Sequence, residues 1–159
     1  MNKALLSSKN NNWCTPIDFF RKLDQEFCFV LDAAALDKSA KCSRYFTPAE
    51  NGLEKSWDVG GNVFCNPPYG RELNKWVRKA YEESLKTKNK IVLLIPARTD
   101  TNYFHEYIYQ KAEIRFLKGR LHFTDEDLNE KGRAPFPSMI VIYNGKTDRK
   151  EPFDVYMLP

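Results

Sequence analysis

The tetrapeptide Asn66-Pro67-Pro68-Tyr69 follows directly on Val63-Phe64-Cys65, a short apolar run with strand character. Two prolines and Gly70 forbid the strand's continuation, so the tetrapeptide forms a loop at the strand's carboxyl end. Asn66 offers a side-chain carbonyl. The prolines lack N–H groups, which stiffens the turn and leaves nearby backbone oxygens as exposed acceptors. Tyr69 adds a flat ring. Acceptors beside a ring suit a planar substrate that carries an NH2 group. The nitrogen of an exocyclic base amine or a carboxamide is a weak nucleophile, because its lone pair is delocalised into the π-system. Two acceptors gripping its hydrogens push it toward tetrahedral geometry and free that pair. No side-chain base is needed at first, since the nitrogen can shed its proton after attack. An isolated Asn-Pro-Pro is more often a plain turn. Tyr69, the preceding strand and the upstream Asp32-Ala33-Ala34 shift the reading toward chemistry.

Strands and helices must hold such a loop. Thr15-Pro16 opens a predicted helix, with Thr15 as N-cap and Pro16 in the first turn, and Ile17, Phe20, Leu23 and Phe27 follow at helical spacing. The run Phe27 to Leu31 reads as a strand ending at Asp32. Residues 37 to 51 are irregular and polar. Glu72 to Lys86 has the pattern of an amphipathic helix, and Ile91 to Ile95 that of a buried central strand. A short aromatic helix over Asn102 to Gln110, a strand over Glu113 to Leu117 and a charged insertion over Leu121 to Ala134 come next. The last strand is Ser138 to Tyr143, with Asn144-Gly145 as the turn of a polar hairpin or tail. The alternation predicts an α/β fold with a mainly parallel sheet, whose ligands bind outside the carboxyl ends of the strands. Asp32 and Asn66 both sit at such ends. Residues 1–12 read as a flexible polar leader and 13–159 as one domain.

Composition narrows the class. The chain has 159 residues, 42% of them hydrophobic and 29% charged, enough for one well-formed core. No stretch approaches the ~20 apolar residues of a membrane span, so no membrane partner is expected. The absence of an apolar signal core points to the cytoplasm. The net charge of +4 permits a polyanionic partner. The four cysteines form no Cys-x-x-Cys pair, so buried reduced thiols are expected and no metal. Neither His105 nor His122 belongs to an acid–base or nucleophile set.

The ordered motifs resemble a known family. They are Trp13-x-Thr15-Pro16, Phe29-Val30-Leu31-Asp32-Ala33-Ala34, Asn51-Gly52-Leu53 with Trp57, and Asn66-Pro67-Pro68-Tyr69-Gly70. Leu94-Ile95-Pro96-Ala97-Arg98-Thr99-Asp100, Phe116-Leu117-x-Gly119-Arg120-Leu121 and Pro135-Phe136-Pro137-Ser138 complete the series. Together they span Trp13 to Tyr143. The chain is similar to the small phage-type, Dam-like DNA N6-adenine methyltransferases that use S-adenosylmethionine. The resemblance implies a single Rossmann-like class I methyltransferase domain with an antiparallel last strand. It also implies phage or prophage origin and action in the cytoplasm of a bacterial host.

Roles follow from that resemblance. Asn66, Pro67, Pro68 and Tyr69 hold the target amine and its ring. Asp32, Ala33 and Ala34 form the cofactor loop, with the carboxylate attracting the ammonium group of the methionine moiety. Trp13, Thr15 and Pro16 close over the cofactor, and Asn51, Gly52 and Leu53 meet its adenine. Phe136 is the second ring clamping an extruded base. Two departures stand out: Asn51 replaces a more usual Asp, and the glycine-rich cofactor loop is Asp-Ala-Ala-Ala. Asp37 and Glu50 are the candidates for gripping the ribose hydroxyls.

The expected reaction moves a methyl group from S-adenosylmethionine, without a metal, to adenine N6 of a base flipped out of double-stranded DNA. Lys118, Arg120, Lys131 and Arg133 bracket the acidic insertion and are the expected phosphate contacts, favoured over Lys75, Arg78 and Lys79. The short insertion predicts a small or degenerate target site. No obligate protein partner is expected. Two alternatives remain at this level: methylation of a glutamine carboxamide in a protein, and a methyltransferase fold that binds cofactor or DNA without activity.

Overall fold

A computed structural model describes residues 12–146 and 155–158. The expected leader lies outside the described residues except for Asn12. Ten short elements and one π-helix carry the fold. In chain order they are α1 (Ile17–Phe27), β1 (Phe29–Asp32), β2 (Asn62–Cys65), α2 (Leu73–Ser84), β3 (Ile91–Pro96), the π-helix (Phe104–Ile108), β4 (Glu113–Leu117), β5 (His122–Thr124), β6 (Glu130–Arg133), β7 (Ser138–Tyr143) and β8 (Val155–Leu158).

The main sheet has six strands in the order β1-β2-β3-β7-β4-β8. β1 pairs parallel with β2, β2 with β3, and β4 with β8. β7 runs antiparallel to both neighbours, β3 and β4. The last strand expected from sequence is therefore the antiparallel one, inserted into the interior of the sheet. The architecture is a Rossmann-like α/β fold. Every residue of β3 and β7 is buried, which explains their unbroken apolar runs.

α1 buries Phe20, Leu23 and Phe27 at helical spacing, and the Phe20 ring meets Phe29 and Phe64 at 5.7 and 5.1 Å. It ends where Cys28 turns left-handed at φ 52°. Its start differs from the sequence reading. Pro16 occupies the N-cap position, which leaves Thr15 one residue outside the helix, and no side chain caps it.

The hairpin or tail expected after β7 lies largely outside the described residues, and the strand beyond it, β8, pairs parallel with β4. Within the charged insertion, β5 and β6 pair antiparallel as a hairpin. Asp125 shapes the hairpin's tip by accepting hydrogen bonds from the backbone N–H groups of Asp127 and Asn129. The hairpin is also tied down. Cys14 and Thr124 exchange backbone hydrogen bonds of 3.0 Å each, and Lys38 pairs with Asp127 at 2.6 Å. Cys14 and Cys65 are buried free thiols, Cys42 is half-buried, and Cys28 is exposed at its helix end.

Candidate active site

A cleft opens outside the carboxyl ends of β1 and β2, where the topology of a parallel sheet places ligands. Trp13, Cys14 and Thr15 form one wall. Asp32, Ala34, Ala35 and Leu36 follow from β1, and Asn66, Pro67 and Pro68 from β2. Phe46, Asn51, Gly52 and Trp76 complete the apolar side, with Ser39 and Lys41 at a polar edge.

Asp32 is 3% exposed. Its Oδ2 accepts from the Lys41 backbone N–H at 3.0 Å, and its Oδ1 from that of Ala34 at 3.4 Å. Burial pushes its carboxyl up to about 6, with the two backbone bonds and the Lys41 charge only partly opposing. Burial also lowers the Lys41 ammonium, while Asp32 pulls it back up. The carboxylate is thus short of partners for its negative charge and suits an incoming cation.

The backbone packs closely beside it. A Cβ on Gly52 would stand 2.3 Å from the Ala33 carbonyl oxygen, so that close approach admits only glycine. The Ala33 N–H donates to the Phe64 carbonyl, and Trp57 Nε1 donates to the Gly52 carbonyl at 2.8 Å. The Trp57 N–H in turn donates to buried Glu83, which Lys79 pairs at 2.8 Å. Asn51 is left-handed at φ 53°, a conformation Asn adopts more readily than most residues, and its Oδ1 accepts from the Leu53 N–H at 3.3 Å. Its carbonyl therefore closes its own turn. Ala33, Leu53 and Pro16 are not among the residues that line the cleft.

Asn66 is anchored from one side. Its Nδ2 donates to the Trp13 carbonyl at 2.5 Å and to Thr15 Oγ1 at 2.9 Å. A carbonyl can only accept, so the amide's NH2 must face Trp13 and its oxygen must face away. Among the described residues that oxygen, Asn66 Oδ1, is buried without a hydrogen-bond partner. A buried acceptor left unpaired is costly and marks a place for a donor from outside.

Tyr69 points away from the cleft and is 5% exposed. Its hydroxyl donates to the Leu94 carbonyl at 3.0 Å, and burial holds the phenol well above its ordinary value. Its ring meets Phe136 edge-on at 5.5 Å and Phe123 at 6.1 Å. Trp13 meets Phe136 at 5.3 Å and Phe123 at 5.7 Å, also edge-on. The four rings form one closed cluster. Tyr69 and Phe136 are brought together as the sequence predicts, but in mutual contact rather than as an open clamp. Lys131 caps the cluster: its Nζ lies 4.1 Å from the Trp13 ring centroid and donates to the Asn12 carbonyl at 3.2 Å.

The cations divide by position. On α2, Lys75 pairs with Glu72, Arg78 with Glu82, and Lys79 with Glu83. Exposed Arg71, Arg98, Lys118, Arg120 and Arg133 make no ion pair among the described residues. Arg71 follows β2, Arg98 follows β3, and Lys118 and Arg120 follow β4, so these four stand at the carboxyl end of the sheet. Sequence reasoning missed Arg71; the signal was its place directly after Gly70. The ribose candidates fall away from the lining: Asp37 accepts from the Tyr45 hydroxyl, and Glu50 from Thr47. His105 and His122 lie on the surface, bonded to the Thr99 carbonyl and to Glu130.

A family model described as DNA N-6-adenine-methyltransferase (Dam) matches residues 2–155. The chain belongs to the Dam family. A DNA N-6-adenine-methyltransferase of Escherichia phage T1 is 32% identical over 138 residues, covering 86% of this chain and 56% of that protein. The chain thus spans a little over half the length of this family relative. "Putative methyltransferase YfdM" of Escherichia coli strain K12 is 34% identical over 70 residues, covering 40% of this chain and 77% of that protein. Among solved structures, a Listeria monocytogenes protein described as a "putative class I S-adenosylmethionine-dependent methyltransferase" aligns with a TM-score of 0.44 at 15% identity. That alignment covers 72% of this chain and 41% of the other. No described helix of this Dam-family chain is long and apolar enough to cross a membrane.

Proposed function

We propose that this Dam-family chain methylates adenine N6 in DNA with S-adenosylmethionine as methyl donor, and that residues 13–159 form the methyltransferase domain. The observation that carries the reading is Asn66 Oδ1: a buried, unpaired acceptor on the wall of the cleft that Asp32 also lines. The cleft fits the cofactor. Asp32 meets the ammonium group of its methionine moiety, Ala34 and Gly52 let the backbone come close, and Phe46 and Trp76 offer apolar surface to its adenine. Ser39, Lys41, Thr47 and Asn51 are polar residues of the same lining. When bound, S-adenosylmethionine supplies a methyl carbon on a positively charged sulfur that leaves readily.

The chain's own residues align the acceptor. Asn66 Oδ1 takes one hydrogen of the target amine. A backbone carbonyl of the Pro67-Pro68 turn takes the other. The nitrogen's lone pair is thereby turned toward the cleft, and its spare proton passes to water after attack. Fixing two reactants in this way contributes roughly 7–11 kcal/mol toward the barrier. The target base leaves the duplex and stacks on Tyr69, at an unstacking cost of a few kcal/mol. Phe136, half-buried like Trp13 in the ring cluster, turns away from Tyr69 to admit it. Arg71, Arg98, Lys118, Arg120 and Arg133 meet the phosphates, since their charges have no carboxylate partner among the described residues. Lys131 joins them once it leaves Trp13.

The test is transfer of a labelled methyl group from S-adenosylmethionine to unmethylated double-stranded DNA. Label recovered as N6-methyladenine is the expected result. Label in the glutamines of an added protein, or cofactor binding with no transfer, overturns the reading.

A further inference from the structure

Both acceptors that hold the Asn66 amide come from one short segment, Trp13 to Thr15. Thr15 stands one residue before the N-cap Pro16, and no side chain caps α1. Its side chain is buried, 3% exposed, and its hydroxyl is spent on a residue 51 positions away. The segment itself is pinned by the Cys14–Thr124 backbone pair.

We propose that Thr15 is a positioning residue for the amine-gripping oxygen. The torsion that turns an Asn amide is broad and roughly two-fold, so one hydrogen bond leaves the amide plane free to swing about it. The Trp13 carbonyl fixes one N–H; the Thr15 hydroxyl fixes the other. With both hydrogens held, Oδ1 is fixed on the side facing away from Trp13 and Thr15. The role rests on the reading of Asn66 given above.

The test compares Thr15→Val, which keeps the shape and removes the hydroxyl, with Thr15→Ser, which keeps the hydroxyl. The first readout is the Asn66 side-chain amide signal in NMR, assigned by its loss in Asn66→Ala. Its protons exchange slowly in the wild type and in Thr15→Ser, and about tenfold or more faster in Thr15→Val, the loosening expected when one bond is lost. The second readout is single-turnover methyl transfer with cofactor affinity measured by calorimetry. At saturating cofactor Thr15→Val lowers the transfer rate about tenfold or more, and Thr15→Ser restores the rate. Should Thr15→Val fail to fold, Thr15→Ala takes its place. Unchanged exchange in the hydroxyl-free variant overturns the proposal. So do equal losses in Val and Ser, which would make the role one of packing, and a weakened cofactor affinity at unchanged rate, which would make Thr15 a cofactor contact. If the wild type methylates no DNA while amide exchange still follows the hydroxyl, the positioning role stands and the methylation reading fails.

Discussion

The cleft under Asp32 and the ring cluster beside Tyr69 flank one loop, and they differ in readiness. The cleft is open and built largely from backbone: the close pass of Gly52 over Ala33, the turn at Asn51 and the Pro67-Pro68 corner. The cluster is shut. Trp13, Tyr69, Phe123 and Phe136 touch edge to face, and a base has no gap to enter between Tyr69 and Phe136. The difference follows from the two ligands. A freely diffusing cofactor gains from a cavity that needs no rearrangement. A base arrives only after DNA has been gripped, and until then apolar rings lose less by covering one another than by facing water.

Removing the shared element should separate chemistry from both halves. Asn66→Ala deletes the acceptor, and single-turnover transfer should fall about 100- to 1,000-fold, in line with the loss of one preorganised polar group at a reacting centre. Calorimetric affinity for the cofactor should stay close to wild type, because Asp32 and Gly52 are untouched. An equal loss in both would mean that the two halves are not separable.

The open half should be the pH-sensitive one. The folded chain holds a proton on Asp32 up to about pH 6, against 3.8 for an unperturbed carboxyl. A raised carboxyl favours the protonated form in the fold, so its contribution to stability is full at acid pH and is lost as pH rises through 6. Cofactor binding has the opposite sense, since it needs the charge. Affinity should weaken about tenfold per pH unit below 6, level off above it, and lose this dependence in Asp32→Asn. A flat profile in the wild type would remove the carboxylate–ammonium contact.

The closed half should respond to Phe136→Ala. Losing one stacking ring should weaken productive DNA engagement about tenfold, read as a rise in the DNA concentration giving half-maximal rate, with cofactor affinity unchanged. A gain in DNA affinity would show instead that the cluster is chiefly a barrier and that Phe136 does not stack on the base.

Much of this was legible in the chain. Asn66-Pro67-Pro68-Tyr69 after an apolar strand marks a loop at a strand end, because proline and glycine punctuate the backbone locally. The unbroken runs Ile91 to Ile95 and Ser138 to Tyr143 mark central strands, because burial on both faces leaves no polar positions. Other features were misread for the same local reason. Thr15 before Pro16 has the form of a helix cap, but the helix starts one residue later and the Thr15 hydroxyl accepts from Asn66, far along the chain. Lys131 has the form of a free phosphate contact until Trp13 lies beneath it. The β8 pairing depends on a partner that short-range patterns do not reveal.

The sequence by itself determined the alternation of elements, the position of the chemical loop and the family, since each is written in residue types at short spacing. Tertiary structure decided which way the Asn66 amide faces, that Asp32 is buried with few partners, that the rings are closed, and which cations lack a carboxylate. Those are properties of orientation and environment, and they exist only once segments distant in the chain are packed together.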